Sequence, residues 1–373
     1  MNLVEEFKNG QKGGNKGLPM GDGLSNLSHA INGLQKARIY GIAAPPKAGK
    51  STFVDYAFVI QPILYCLLNN IVAEWIYYSL EIDRVSKEFD FASYFLHNDY
   101  GITHITLEDG ATKGGINEIP LNSDYLRGRV MDDDGNIILV KESVKKALID
   151  VYEKRIIPIF GEYSASGVLI TKGLITFIEQ KDNPTGIYKQ LKSHAERNGR
   201  FITTGQGKFS RITGYKPNND EKYTIVIMDH LRKLIPERGW LMKQTVDKMV
   251  EYQVEMRNWM KYTFVDIIHT NRDMVNQDRL KFAKDMLYPT SDDIKDTGNL
   301  AEDADYIFTL MNPNDDRYNL KKHFGMDIRD ESGNPMFPDM RTFHLVESRH
   351  CKYPQHFKAN MLGAVKSFQQ MNV

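Results

Sequence analysis

Eight residues constrain this chain more than any other stretch: Ala44-Pro45-Pro46-Lys47-Ala48-Gly49-Lys50-Ser51. They lie between a short apolar run, RIYGIA at 38–43, and a longer one that opens at Thr52. A loop that joins a strand to a helix and ends in Gly-Lys-Ser fits a Walker A phosphate loop. Backbone N–H groups of the loop and of the helix N-terminus cradle phosphate oxygens. Ala44 through Thr52 would form that cradle, with Lys50 on the β- and γ-phosphates and Ser51 on Mg²⁺. Gly49 lets the backbone approach closely. Ala44 stands in place of the pattern's first glycine, which is tolerable only where no positive φ is needed.

The order around the loop predicts the fold. Residues 38–43 read as a strand, 52–68 as an apolar helix and 72–80 (VAEWIYYSL) as a second strand. That β–loop–α–β order predicts an α/β fold with a mostly parallel central sheet and helices on both faces. Residues 223–228 (YTIVIM) form a continuous apolar run, as in a central strand covered on both sides. Further strands are predicted at 264–269, 306–311 and 342–346, and the run IIPIF at 156–160 also reads as a strand after a helix at 144–152. Helices are predicted at 186–197 and 241–262. In the latter, Met242, Val246, Met249, Gln253, Met256 and Met260 recur at spacings of four and three, the stripe of a core-facing amphipathic helix.

Other stretches lack such periodicity. Residues 1–16 read as a flexible lead-in to a single decorated domain over 17–373. Segments near 99–140 and 198–222 read as insertions, the first as surface elaboration and the second as a Gly-rich loop or hairpin.

A P-loop ATPase also needs an aspartate linked to Mg²⁺ and a carboxylate that orients water. Asp229 ends the run 223–228 and fits the first role. His230, not a glutamate, follows it. Glu81 ends the run 72–80 and fits the second role, because strand carboxyl ends converge on one edge of a parallel sheet.

Composition bounds the partners. With 48 Lys plus Arg against 48 Asp plus Glu, the chain carries no net charge, which excludes a strongly basic nucleic-acid coat. A motor with a local basic channel remains compatible, since binding follows the local field. Two cysteines, Cys66 and Cys351, are too few for a disulfide framework and suit a cytoplasmic protein. The N-terminus has no apolar signal core. The apolar stretch 53–78 is interrupted by Asp55, Gln61, Asn69, Asn70 and Glu74, so it reads as a buried helix and strand rather than a membrane span. His344, His350, Cys351 and His356 cluster in sequence, but their spacing fits no paired-ligand pattern for zinc.

Taken together, IAAPPKAGKST, SLEI, IVIMDHLRKL, IIHTNRD, SDDIKDTGNLAEDADYIF and VESRHCKYP stand in an order that resembles the motor domain of DnaB-type replicative helicases, phage versions above all. The resemblance runs from about residue 17 to 360 and is diffuse over 85–222. It implies a RecA-like ATPase fold, a homo-hexameric ring with ATP and Mg²⁺ between subunits, and single-stranded DNA in the channel. It implies that Glu81 activates water, that His269 senses the γ-phosphate and that Arg349 reaches the neighbouring subunit's nucleotide. DNA contacts would come from Arg232, Lys233, Arg238 and Lys243 after Asp229, and from Arg279, Lys281 and Lys284 in the loop 273–290. A primase or a loader is a further implied partner. Two positions depart from the family: His269 replaces a glutamine, and Glu347 stands where the family has a lysine. The family's separate N-terminal domain is not expected here. The alternatives are a RecA-like DNA-dependent ATPase without unwinding, as in a recombinase or loader, and a nucleotide-binding structural protein with a decayed motor.

Overall fold

The computed structural model describes residues 4, 16–107, 111–164, 166–205, 211–271, 276–294 and 298–371. The expected lead-in therefore lies outside the described residues, apart from positions 4 and 16.

A nine-stranded sheet organises the chain. Its strands are β1 (Ile39–Ala44), β2 (Ala73–Ser79), β3 (Ile175–Ile178), β4 (Tyr223–Asp229), β5 (Thr263–His269), β6 (Tyr306–Met311), β7 (Met340–Ser348), β8 (Gln355–Leu362) and β9 (Ser367–Gln370). Their order is β9-β8-β7-β6-β1-β5-β4-β2-β3. The pairings among β3, β2, β4, β5, β1 and β6 are all parallel, and β7, β8 and β9 extend the sheet antiparallel from β6. The predicted mostly parallel sheet is thus present. β3, β8 and β9 were not foreseen: they are short or half-buried edge strands, without the continuous apolar run that marks the centre.

Alternation along the central strands builds two cores. In β4, Ile225 and Ile227 face one side, and Val226 and Met228 the other. The helix α1 (Lys50–Asn69), α2 (Arg84–Tyr100) and α3 (Glu142–Val151) cover the first face. α4 (Pro184–Asn198) and α5 (Met242–Met260) cover the second. α1 is long and apolar enough to cross a bilayer by length and composition, yet Phe53, Val54, Ala57, Phe58 and Ile60 bury in this core. Its middle, Asp55–Ile60, winds as a π-helix, and the Trp75 indole N–H donates to Phe58 O there at 2.9 Å. The methionine stripe of α5 is core, with Val246, Met249, Gln253, Met256 and Met260 buried.

Two expectations need correction. IIPIF is helical, not a strand: α3 continues through a π turn (Tyr152–Ile156) into Ile157–Phe160. Val144, Ala147 and Val151, then Ile156, Ile159 and Phe160, are the buried positions, a helical recurrence that five apolar residues alone cannot reveal. The stretch 99–140 is not only surface. Ile105, Leu107, Ile119, Leu121, Tyr125 and Leu126 join the first core. The segment 198–222 is a hairpin of Gly199–Thr204 with Arg211–Pro217.

One buried acid in the second core carries a stability prediction. Asp266, fully buried in β5, accepts from Gln253 Nε2 at 2.8 Å, and its Oδ2 has no partner. Burial pushes this carboxyl up to about 7. The folded state therefore holds a proton that the unfolded chain releases near pH 4, and stability is lost as pH rises from about 4 to about 7. Asp266→Asn is expected to leave stability unchanged at pH 4 and to raise it by about 4 kcal/mol at pH 8. Urea unfolding at both pH values checks this, and an equal effect at both would refute it.

Candidate active site

Sheet register brings the candidate residues together. Ala44 is level with His269 on the neighbouring strand, and Asp229 is level with Ser79. Leu80 N–H also donates to Asp229 O at 2.7 Å, which fixes Glu81 beside Asp229. Read across β2, β4, β5 and β1, the carboxyl edge presents Glu81, Asp229, His269 and the phosphate loop in turn. That edge is where open α/β sheets bind ligands. Lys50, Ser51, Thr52, Glu81, Asp229 and His269 line one cavity of about 270 Å³, together with Pro46, Lys47, Gly49, His230 and Ile267.

The loop explains its own residue types. Ala44 is the last residue of β1 and is not among the positive-φ positions, so the absent glycine costs nothing there. The left-handed positions are Lys47 (φ 64°) and Gly49 (φ 96°). A Cβ on Gly49 would also come within 2.4 Å of Met361 Sδ. Lys50, Ser51 and Thr52 open α1, so their N–H groups have no partner within the helix and suit an anion.

Lys50 is buried. Its Nζ donates to Ala44 O at 3.2 Å and Pro45 O at 3.3 Å, and lies 3.0 Å from His269 Nδ1. Burial lowers the ammonium to about 8, against the pull of Asp229 and Glu81. His269 is also held below its usual range, by burial and by Lys50. The neutral ring accepts from Lys50 at Nδ1, which leaves its proton on Nε2. His269 thus keeps a donor without carrying charge. The ring of His230, buried and pushed down to about 3, packs against it with centroids 4.3 Å apart. Hard oxygen donors from Ser51 and Asp229 beside the phosphate cradle suit Mg²⁺.

Three polar residues behind the cavity escaped the sequence reading. Lys87 Nζ lies 2.6 Å from Asp55 Oδ2 and 3.8 Å from Asp229 Oδ2, and all three side chains are buried. Tyr77 O–H donates to Asp55 Oδ1 at 2.9 Å and reaches Asp229 Oδ2 at 3.4 Å. The available signal was Asp55, a charge inside an apolar helix.

No protein-family model matches the chain, and no curated protein matches it. Solved structures do. The ATPase domain of a phage helicase aligns over 99% of this chain and 97% of that one, with a TM-score of 0.62 and 14% identity. A DnaB-like replicative helicase, described with its interactions with primase, aligns over 99% of this chain and 66% of that one, with a TM-score of 0.61 and 14% identity. The chain has the fold of DnaB-like helicase ATPase domains.

Within this DnaB-like fold, Arg349 stands apart from the cavity. Its N–H donates to Asp305 O, and Asp305 N–H donates to Ile39 O, so it sits at the start of β1. The phosphate loop leaves the other end, about 20 Å away along six residues of strand. The guanidinium is half-exposed and contacts Glu302 O and, at 3.8 Å, Asp303. Glu347 is held by the Ser291 hydroxyl at 2.8 Å.

The two loops leaving β4 and β5 lie on the cavity edge. Lys233, Arg238, Lys243 and Lys281 are exposed, and Arg232 is half-buried. Lys233 Nζ lies 3.3 Å from Glu81 Oε1. Arg279 needs correction as a DNA contact. Its guanidinium binds both oxygens of Asp293, at 2.5 and 2.7 Å, and Tyr288 O at 2.9 Å. Asp293 is buried and requires that cation, so Arg279 holds the loop's shape. Lys284 lies in the short 3₁₀ turn Lys284–Met286. Residues 272–275 and 295–297, which fall in two of the resembling motifs, lie outside the described residues. The histidine cluster disperses: His350 binds Asp305 at 2.6 Å, His344 meets His356 at 2.8 Å, and no metal-holding group occurs among the described residues.

Proposed function

We propose that the protein is an ATP-driven DNA helicase of the replicative type, which hydrolyses ATP to move along single-stranded DNA and unwind duplex. The observation that carries this reading is the register-locked convergence of Lys50, Ser51, Glu81, Asp229 and His269 on one cavity of a DnaB-like fold. Lys50 and the N–H groups of residues 49–52 bind the phosphates. Ser51 and Asp229 hold Mg²⁺, which when bound neutralises phosphate charge. Glu81 accepts the proton of the attacking water. His269 donates Nε2–H to the γ-phosphate. Arg349, too far from its own subunit's loop, serves the nucleotide of the next subunit, which favours a homo-hexameric ring acting in the cytoplasm. A primase or loader is a further proposed partner.

The edge loops carry the DNA. Exposed Arg238, Lys243 and Lys281 stand with exposed Trp240 and Phe282, the latter 84% exposed. Basic and aromatic side chains together suit a single strand, with phosphates on the cations and bases on the rings. Arg238→Ala/Lys243→Ala is expected to weaken single-strand binding and to lower its dependence on log salt by about 1–2 units of slope. An unchanged slope, measured by fluorescence anisotropy across salt concentrations, would remove both residues from the interface. The Lys233–Glu81 contact offers a link between the two sites, since a DNA phosphate that takes Lys233 frees the carboxylate.

Steady-state ATP hydrolysis with and without single-stranded DNA, followed by strand displacement on a forked duplex, tests the function. Hydrolysis stimulated by DNA together with displacement supports it. Stimulation without displacement reduces it to a DNA-dependent ATPase. No hydrolysis by the assembled protein refutes it.

A further inference from the structure

Asp229 is tied from behind, away from the cavity. Its Oδ2 takes both of its side-chain contacts, from Tyr77 O–H at 3.4 Å and Lys87 Nζ at 3.8 Å. Lys87 makes its shorter contact, 2.6 Å, to Asp55 Oδ2. Asp55 comes from the π-helical turn of α1, Tyr77 from β2 and Lys87 from α2. Three elements thus meet behind one carboxylate. A π turn that begins at the charged residue itself is typical of functional positions.

Stability alone does not account for this arrangement. Buried ion triads are often no more stabilising than apolar side chains of the same volume. Two carboxylates around one ammonium leave a net negative charge, which is what a cation site requires. A lysine facing Asp229 alone would neutralise it and compete with Mg²⁺. Asp55 takes the short contact instead, which keeps the ammonium at 3.8 Å from Asp229.

We propose that Lys87 is a positioning residue. With Asp55 and Tyr77 it latches Asp229 through Oδ2, so that Oδ1 is the oxygen offered to the Mg²⁺–nucleotide, while Asp55 keeps Lys87 from closing on Asp229. The inference rests on the nucleotide-binding reading given above.

ADP affinity with and without Mg²⁺, measured by calorimetry, tests it alongside ATP turnover against Mg²⁺ concentration and the melting temperature of the ligand-free protein. Asp55→Asn keeps the shape but removes the charge that restrains Lys87. Its Mg²⁺ half-saturation is expected to rise about 10-fold, with metal-free ADP affinity unchanged. Asp55→Asn/Lys87→Met removes the competing ammonium as well. Its half-saturation is expected to return to the wild-type value or below, while kcat at saturating Mg²⁺ falls about 10-fold because the carboxylate is unlatched. Opposite movement of the two half-saturations is the signature. Variants that change melting temperature alone, with wild-type Mg²⁺ dependence, would overturn the proposal. Should the double variant not fold, a wild-type Mg²⁺ half-saturation in Asp55→Asn by itself overturns it. A wild-type protein whose ADP affinity ignores Mg²⁺ overturns the underlying reading, and that result precedes any substitution.

Discussion

Arg349→Ala is expected to reduce ATP turnover by about 10³–10⁵-fold, the range for arginine fingers, while nucleotide affinity stays near wild type. The physical ground is its place in the sheet. Arg349 is anchored through Asp305 to the first residue of β1, whereas the phosphate loop follows the last. No rotamer spans six residues of strand, so the guanidinium can serve only a nucleotide bound to another subunit. A mixing experiment checks this directly. Arg349→Ala subunits keep an intact phosphate loop, and Lys50→Ala subunits keep an intact Arg349. Neither should hydrolyse ATP alone, and mixed rings should regain activity at the interfaces that pair the two intact halves. Mixtures as inactive as their components would show that Arg349 has no role across the interface.

Glu81→Gln is the second large effect. Turnover is expected to fall by about 10²–10⁴-fold, the contribution of a positioned general base. The amide keeps the carboxylate's shape but cannot take the proton. Glu81 is 38% exposed and pairs with the half-exposed Lys233, so the exchange disturbs no buried network. Mg²⁺–ATP binding, followed separately by calorimetry, should change little. This separates Glu81 from Lys50, whose ammonium bridges the loop carbonyls and His269 and whose removal should weaken binding itself. A Glu81→Gln protein retaining a tenth of wild-type turnover would exclude the carboxylate as the base.

The departures at 269 and 347 read differently once seen in place. His269 replaces a glutamine, yet burial and Lys50 keep it neutral with one N–H donor, much as an amide would offer. Glu347 is engaged with Ser291 inside the same subunit. The decayed-motor alternative drew on both positions, and the first of them now argues against it.

Local chemistry made the phosphate loop, the apolar central strands and the carboxylates at their ends legible, because each depends on a few adjacent residues: Gly49-Lys50-Ser51 for the anion, YTIVIM for a doubly covered strand, Asp229 directly after it. Parallel order and a shared carboxyl edge then follow from topology rules. What depends on distant partners was not legible. The run 156–160 has strand composition but lies on a helix, since the buried partners that select helical spacing come from other elements. Arg279 looks like any loop cation until Asp293, fourteen residues away, is buried against it. The short strands β8 and β9 form only as extensions of an edge already made by β7. Lys87 and Asp55 lie 32 residues apart and meet only because α1 and α2 pack on the same face of the sheet. Sequence by itself determined which side chains could bind a nucleotide and the order of strands that would gather them. Tertiary structure alone decided which charges pair internally and which face the cavity, because burial makes an unpaired charge prohibitive and packing chooses its partner.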